Sequence, residues 1–335
     1  MDNPFLVEVT RGNLVESRHR GSIAVVDADG GTVLSLGDVE RRVFPRSAVK
    51  AIQALPLIES GIADKYSLSD EEIALACASH SGEPEHVRVA QSMLAKAGRD
   101  ATCLECGAHW PSGEAAKLAL AAQGEKPNAL HNNCSGKHAG FICLACGLDE
   151  DPRGYVKSAH PVQQAVRAAL EDLTGASHTE EVSGIDGCSI PTYAIPLPSL
   201  AFGFAKFGAG VGLSSGYKSA AERIRQAVAR HPFMVAGTDR FDTKLMTVLG
   251  ERVFVKVGAE GVFCAAFPEL GFGVALKADD GNGRAAEAMM AGLVLRFLQL
   301  ADEQRAAVEA LAQPVLKNWN GIEVGRIRPS SDFLQ

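Results

Sequence analysis

Strand-like segments sit at both ends of this 335-residue chain and almost nowhere between them, so a sheet of any size closes only if the two ends meet. The opening carries β-branched and apolar runs at Phe5 to Val9, Leu14 to Glu16, Ser22 to Val26 and Thr32 to Leu36, the last two joined by the turn Asp29-Gly30-Gly31. Similar runs return at Arg252 to Val257, Gly261 to Phe267, Gly273 to Lys277 and Ile322 to Ile327. Between them the periodicity is helical. A helix is expected from Ser47 to Ser60, stopped by Gly61, and another after the capping-box spacing Ser69 to Glu72. Others are expected over 85–97, 114–123, 135–146, 161–173, 218–230 and 240–249, with one more at 284–298 after the returning strands. No repeat, low-complexity tract or long linker divides the chain. The expectation is an α+β fold in one domain of two lobes, a sheet lobe of about 1–45 and 250–335 and a helical lobe of about 46–249, with a site in the cleft between them.

Composition narrows the classes of function. Lys and Arg number 33 against 40 Asp and Glu, and the net charge of −7 repels nucleic-acid phosphates and anionic lipid. With 46% hydrophobic and 22% charged residues the chain is globular, not disordered. Met1-Asp2-Asn3-Pro4 lacks the basic and apolar regions of a signal peptide, and no apolar run approaches the ~20 residues that span a bilayer, so a cytoplasmic location is expected. The eight cysteines then read as thiols, some of them candidate metal ligands, not as a disulfide framework.

Several clusters could carry chemistry. Ser47-Ala48-Val49-Lys50 places a hydroxyl and an amine on one face of a helix, where a lysine of lowered pKa can activate a serine nucleophile; the same pair also reads as a capping serine and a solvated lysine. Ser79-His80-Ser81 and Lys256-Val257-Gly258 follow in the chain order of the second and third motifs of penicillin-recognising serine enzymes, although neither matches the usual residues in full. Cys134 and Lys137 in Asn133-Cys134-Ser135-Gly136-Lys137-His138 share a face, and with Cys188 of Asp186-Gly187-Cys188 they would hold Zn²⁺ with its fourth position open. Lysine is an uncommon zinc ligand, and Cys134 and Cys188 also read as buried, inert thiols. Two Cys-x-x-Cys-Gly runs, Cys103/Cys106 and Cys143/Cys146, have the form of paired zinc knuckles, but the second ends a helix in which its cysteines would be core residues and Gly147 the C-cap.

Taken together, Pro45-Arg46-Ser47-Ala48-Val49-Lys50, Ala76-Cys77-Ala78-Ser79-His80-Ser81, the Cys134 to His138 run, Asp186-Gly187-Cys188 and Lys256-Val257-Gly258-Ala259 resemble the rhizobial-type, class 3 L-asparaginases over nearly the whole chain. The resemblance implies a fold like the serine β-lactamases and glutaminases, with an antiparallel sheet from both chain ends and an inserted helical lobe, and a homodimer. It implies hydrolysis of L-asparagine to L-aspartate and ammonia through two Ser-Lys tandems, Ser47 with Lys50 and Ser79 with Lys256. Cys134, Lys137 and Cys188 match the family's zinc ligands, and Arg46, His138 and Asp186 its substrate-side neighbours. Other readings of the same residues are a glutaminase or β-lactamase-like serine hydrolase, or a non-enzymatic zinc-thiol protein.

Overall fold

The computed structural model describes residues 2–334. The first strands are β1 (Phe5–Arg11), β2 (Leu14–Asp27) and β3 (Thr32–Leu36), and the small hairpin β4 (Ser183–Ile185) and β5 (Pro191–Tyr193) lies mid-chain. Then come β6 (Phe254–Val257), β7 (Val262–Phe267), β8 (Phe272–Ala278), β9 (Val315–Lys317) and β10 (Glu323–Pro329). Eight of these form one antiparallel sheet in the order β6-β7-β8-β2-β1-β10-β9, with β3 also on β2. The two ends meet as their strand content requires: β1 lies between β2 and β10, with Val7 opposite both His19 and Pro329.

Strand β2 runs unbroken through Ser17-Arg18-His19-Arg20, a polar stretch where the sequence pattern separates two strands. The stretch is held by partners distant in sequence. Arg18 pairs with Glu8 at 3.2 Å, while the His19 ring lies 2.5 Å from Asp280 and accepts from Arg284 at 3.1 Å.

The main helices are α1 (Lys50–Glu59), α2 (Ile62–Lys65), α3 (Asp70–Ala76), α4 (Pro84–Lys96), α5 (Glu114–Ala122), α6 (Ser135–Gly147), α7 (Pro161–Thr174), α8 (Leu197–Ala209), α9 (Ser215–Arg230), α10 (Pro232–Ala236), α11 (Phe241–Leu249), α12 (Gly283–Phe297) and α13 (Asp302–Ala312). The capping box that opens α3 forms as its spacing predicts: Ser69 Oγ accepts from the Glu72 amide and Glu72 accepts from the Ser69 amide. Helices α8 and α13 have no counterpart in the sequence reading. Leu197, Leu200, Ala201, Phe204, Ala205 and Phe207 of α8 are all buried, and its one charged residue, Lys206, reaches out to the Asp172 carbonyl at 2.7 Å.

Helix α8 lies directly on the sheet. A Cβ at Gly273 in β8 would collide with the Ala201 carbonyl oxygen and the Ala205 amide nitrogen, and on the far side of α8 a Cβ at Gly203 would press 3.0 Å from Thr174 of α7. Helix α12 covers the opposite face. Gly21, whose Cβ would point at Met289 of α12, lies five residues from Val26, the partner of Gly273, and an odd spacing on a strand reverses the face. With both faces covered, all six residues of β7 are buried. Among the described residues no helix is long and apolar enough to cross a membrane.

The contact at Gly273 sets a stability test. Gly273→Ala is expected to destabilise the fold by about 3 kcal/mol or more in urea denaturation, because a rigid backbone must shift. Gly283→Ala, at an open helix start with nothing within 4 Å of the new methyl, should be neutral or slightly stabilising.

Candidate active site

The local backbone explains how distant residues converge. Chain entering α1 makes a single 3₁₀ turn, Arg46–Val49, in which Arg46 takes the left-handed conformation at φ +51°. That is a costly placement for a residue with a Cβ, and such placements concentrate at functional sites. Arg46 holds it while ion-paired to Asp186. The turn packs on the end of β6, where a Cβ at Gly258 would lie 2.6 Å from the Pro45 carbonyl. Helix α6 starts beside Leu75 of α3, a contact only Gly136 permits, since a Cβ there would strike the Leu75 side chain and carbonyl. This brings Cys134 and Lys137 to the segment leaving α3. That segment is pinned by the Ser79 amide on Val235 O (2.9 Å), the His80 amide on Asn133 O (3.1 Å) and the His80 ring on Ser135 Oγ (2.9 Å).

At the centre lies Lys50, fully buried. Its amine donates to the Ala78 carbonyl, to Ser79 Oγ at 2.9 Å and to Cys134 Sγ at 3.2 Å, three acceptors for the three N–H bonds of an ammonium. Lys137 donates to Cys188 Sγ at 3.0 Å, and Cys188 lies 3.4 Å from Asp186 Oδ2. The Cys134 thiol is held well below its ordinary value by a hydrogen bond from Cys188, reinforced by Lys50 and Lys137 against burial, so the proton of the thiol pair rests on Cys188. Burial opposes charge on Lys137, but Cys134, Cys188 and Asp186 together raise its pKa. Asp186 is likewise desolvated, yet Lys137 and Arg46 keep its carboxyl below the usual range.

The serine–lysine pairing differs from the expected tandems. Lys50 bonds to Ser79, and its amine makes no hydrogen bond to Ser47, because Ser47 sits in the 3₁₀ turn and not one α-helical turn before the lysine. Ser47 is half-buried, and its hydroxyl makes no hydrogen bond among the described residues. The Lys256 amine, fully buried on β6, donates at 2.9 Å to its neighbour's carbonyl, Val257 O, and not to Ser79. Burial pushes its pKa down to about 7; Asp242 pulls the other way, and Lys50 and Arg240 lower it further. A lysine in that state is a base at neutral pH.

His138 is buried and neutral, its pKa driven well down by burial and by Lys137 and Lys50. Tyr155 Oη accepts from the Glu105 amide at 2.9 Å and so donates to His138 Nδ1 at 2.6 Å, which puts the ring proton on Nε2, an atom without a partner. Asp242, 1% exposed, accepts from the Val257 amide at 2.9 Å and places a carboxylate beside Lys256. Neither Tyr155 nor Asp242 has a motif around it; each joins the site through tertiary packing.

The expected zinc ligands stand together: the Lys137 amine donates to the Cys188 sulfur, and the Cys188 thiol is hydrogen-bonded to the Cys134 sulfur. One thiolate, one thiol and one amine linked only to one another and to nearby polar groups form an N/S donor set of the kind zinc takes, so the residues present fit the ion. The Cys-x-x-Cys runs are built differently. Cys106 points its thiol at Ala129 O, Cys143 at Met93 O, and Cys146 accepts from Arg99 at 3.4 Å. No group of three or more His, Cys, Asp and Glu that could hold a metal occurs among the described residues. Gly147 does not cap α6 either. It lets the helix approach Ile62, and Asp149, at φ +61°, takes the left-handed position.

The family described as L-asparaginase II matches the chain over residues 7–329. No curated protein matches it. Solved structures of Mglu are similar in part: one at 15% identity and TM-score 0.35, covering 80% of this chain and 64% of that one, and its native form at 15% and 0.36, covering 85% and 66%. The L-glutamate binding form of Mglu matches at 16% and 0.36, covering 85% of this chain and 61% of that one. The chain thus spans 61–66% of these structures, a likeness too slight to carry an argument.

The buried Lys256 amine sets a sign for stability. Its folded pKa lies below the unfolded one, so between about pH 7 and 10.5 the unfolded chain binds the extra proton and the group makes stability rise with pH. Lys256→Met is therefore expected to be more stable than the parent in denaturant titrations, by a few kcal/mol at about pH 7 and by less than half of that at about pH 9.5.

Proposed function

The chain belongs to the L-asparaginase II family, and on that premise we propose that it hydrolyses the side-chain amide of L-asparagine to L-aspartate and ammonia through a serine acyl-enzyme. The observation that carries this reading is the buried Lys256 amine, which gives up its proton at about pH 7, on a strand end that packs against the Ser47 turn and close to Lys50, the lysine that holds Ser79. Serine-based amide hydrolysis needs an alcohol open to substrate, a neutral base to take its proton and donors for the oxyanion. Ser47 offers the first. Lys256 offers the second, on the strand end that packs against the Ser47 turn. The Ala259 amide donates to no backbone carbonyl among the described residues and, with the amide of Ser47 itself, offers the third.

In the proposed sequence Ser47 Oγ attacks the amide carbon while its proton passes to Lys256. The lysine then protonates the departing nitrogen, which leaves as ammonia. Water attacks the ester and gives its proton to Lys256, and as the ester bond breaks Lys256 returns that proton to Ser47 Oγ, freeing L-aspartate and restoring both the hydroxyl and the neutral amine. Ser79, fixed by Lys50, keeps its own hydroxyl proton available to the bound amide. Arg46 with Asp186, and the free His138 Nε2–H, border the substrate. Zinc, held by Cys134, Lys137 and Cys188, would supply a fixed positive charge beside the substrate. The proposal includes a single catalytic domain, a homodimer and a cytoplasmic location.

Ammonia release from L-asparagine, with little from L-glutamine and no nitrocefin hydrolysis, is the expected outcome; preference for L-glutamine or nitrocefin would overturn the substrate assignment. Ser47→Ala should lower kcat by about 10³-fold or more, as expected on removing a nucleophile. A variant retaining a tenth of the parental kcat would pass the nucleophile's role to Ser79.

The limb of kcat/KM that rises with pH should have its midpoint at about 7, since the base works only after Lys256 loses its proton amid Asp242, Lys50, Arg240 and Cys134. Metal analysis should find one zinc per chain, lost in Cys134→Ala and Cys188→Ala and kept in Cys103→Ala and Cys143→Ala. The opposite pattern would return the metal to the Cys-x-x-Cys runs.

A further inference from the structure

An amino-acid substrate brings a carboxylate, and the site must provide a cation for it. The cations of the cluster are already engaged. Arg46 is ion-paired with Asp186, the Lys50 amine is shared among three acceptors, and Lys137 bonds to Cys188. Lys256 serves as the base.

Arg240 is different. It is half-buried at the N-cap of α11, and its guanidinium makes no hydrogen bond or ion pair among the described residues. It lines a cavity of about 490 Å³ with Ser81, Glu83, Glu114, Thr238 and Asp239. The carboxylates there have other partners or face water. Glu83 accepts from the Thr238 amide (2.8 Å) and hydroxyl (2.6 Å), Asp239 pairs with Lys244 at 3.1 Å, and Glu114 is exposed at the start of α5. On α12, Glu287 also faces Arg240, but burial raises its pKa and so weakens it as a counter-charge.

The cavity adjoins the proposed chemistry on two sides. Ser81 is two residues from Ser79, within about 7 Å along even a fully extended chain. Arg240 is close enough to Lys256 to act on its charge. The α-carboxylate and side-chain amide carbons of L-asparagine are separated by only two carbons, so the cation that takes the carboxylate has to stand near the base, as Arg240 does.

We infer that Arg240 receives the α-carboxylate of the substrate, in the cavity it shares with Ser81, Glu83 and Thr238. The inference rests on the amidohydrolase reading and deepens it: the preferred substrates are free α-amino acids carrying a side-chain amide. A guanidinium binds a carboxylate through two parallel hydrogen bonds, which an ammonium cannot reproduce.

The test compares wild type, Arg240→Gln and Arg240→Lys on L-asparagine and on its α-carboxamide, with melting temperatures to confirm folding. Arg240→Gln should raise KM for L-asparagine about 20-fold or more with kcat changed less than about threefold, and leave the α-carboxamide unaffected. Arg240→Lys, the more conservative change, should fall between and decides the matter if the glutamine variant does not fold. Equal KM in all three proteins, or an equal rise on both substrates, overturns the inference. Calorimetric titration with L-aspartate separates it from the reaction assignment. If wild type releases no ammonia from L-asparagine, the assignment fails, and L-aspartate binding about tenfold weaker in Arg240→Gln still supports the carboxylate role. Equal affinity, or no binding to wild type, removes it.

Discussion

The Lys50 amine ties three separate stretches of chain into one site. Its hydrogen bonds reach the segment leaving α3 through Ala78 and Ser79 and the start of α6 through Cys134, while the lysine itself begins α1. A buried ammonium is tolerated only when each N–H finds an acceptor and an anion lies near, and the Cys134 thiolate supplies that anion. The same thiolate collects Cys188 and Lys137, and through them Asp186 and Arg46. Cation and anion thus alternate along a chain of contacts in which removing one member leaves an uncompensated charge in a dry interior. Lys256 stands outside that alternation. It has one carbonyl acceptor and a flanking carboxylate, and it sheds its proton where Lys50 is held by three acceptors. Two buried lysines a short distance apart can therefore serve opposite roles, one as a fixed donor and one as a base.

The scaffold makes this arrangement rigid. Helix α8, largely apolar, fills the space between the sheet and α7 and touches both through close glycine contacts. On that base, the strand end at Lys256-Val257-Gly258 presses against the Arg46–Val49 turn, so the nucleophile candidate and the base candidate are carried by elements that cannot drift apart independently.

Much of this was legible in the sequence, for identifiable reasons. Strand patterns at both ends announced a sheet joined across the chain, and capping and glycine signals located most helices because those helices are amphipathic. Helix α8 went unread because it opens on Pro196-Leu197-Pro198 with no capping side chain to mark its start. The unity of β2 was hidden by Ser17 to Arg20, whose partners Glu8, Asp280 and Arg284 are tertiary. The motifs drew on residues that the fold brings together, since Cys134, Lys137, Cys188, Ser79 and Lys50 are in contact with one another. Spacing pairs Lys50 with Ser47, whereas its amine bonds to Ser79, because three residues apart means one face only within a regular helix and Ser47 lies in a tighter turn. Asp242, Tyr155 and Arg240 had no local signal, since their positions come from how α11, α7 and the sheet pack.

Placing β1 between β2 and β10 has a consequence for synthesis. During translation the edge of β1 that β10 will occupy has no partner until nearly the whole chain has emerged, and β8, the neighbour of β2, arrives late as well. The helical stretch is complete first, and α8 then has β2 to pack on but still lacks β7 and β8, its other neighbours in the sheet. Closure is therefore a late, long-range event with a high loop-closure entropy, and the nascent chain must carry an open strand edge through most of its elongation and a half-covered, largely apolar α8 until β7 and β8 follow. This topology places the risk of aggregation before the last strands leave the ribosome and places the assembly of Lys256 beside Ser47 after it.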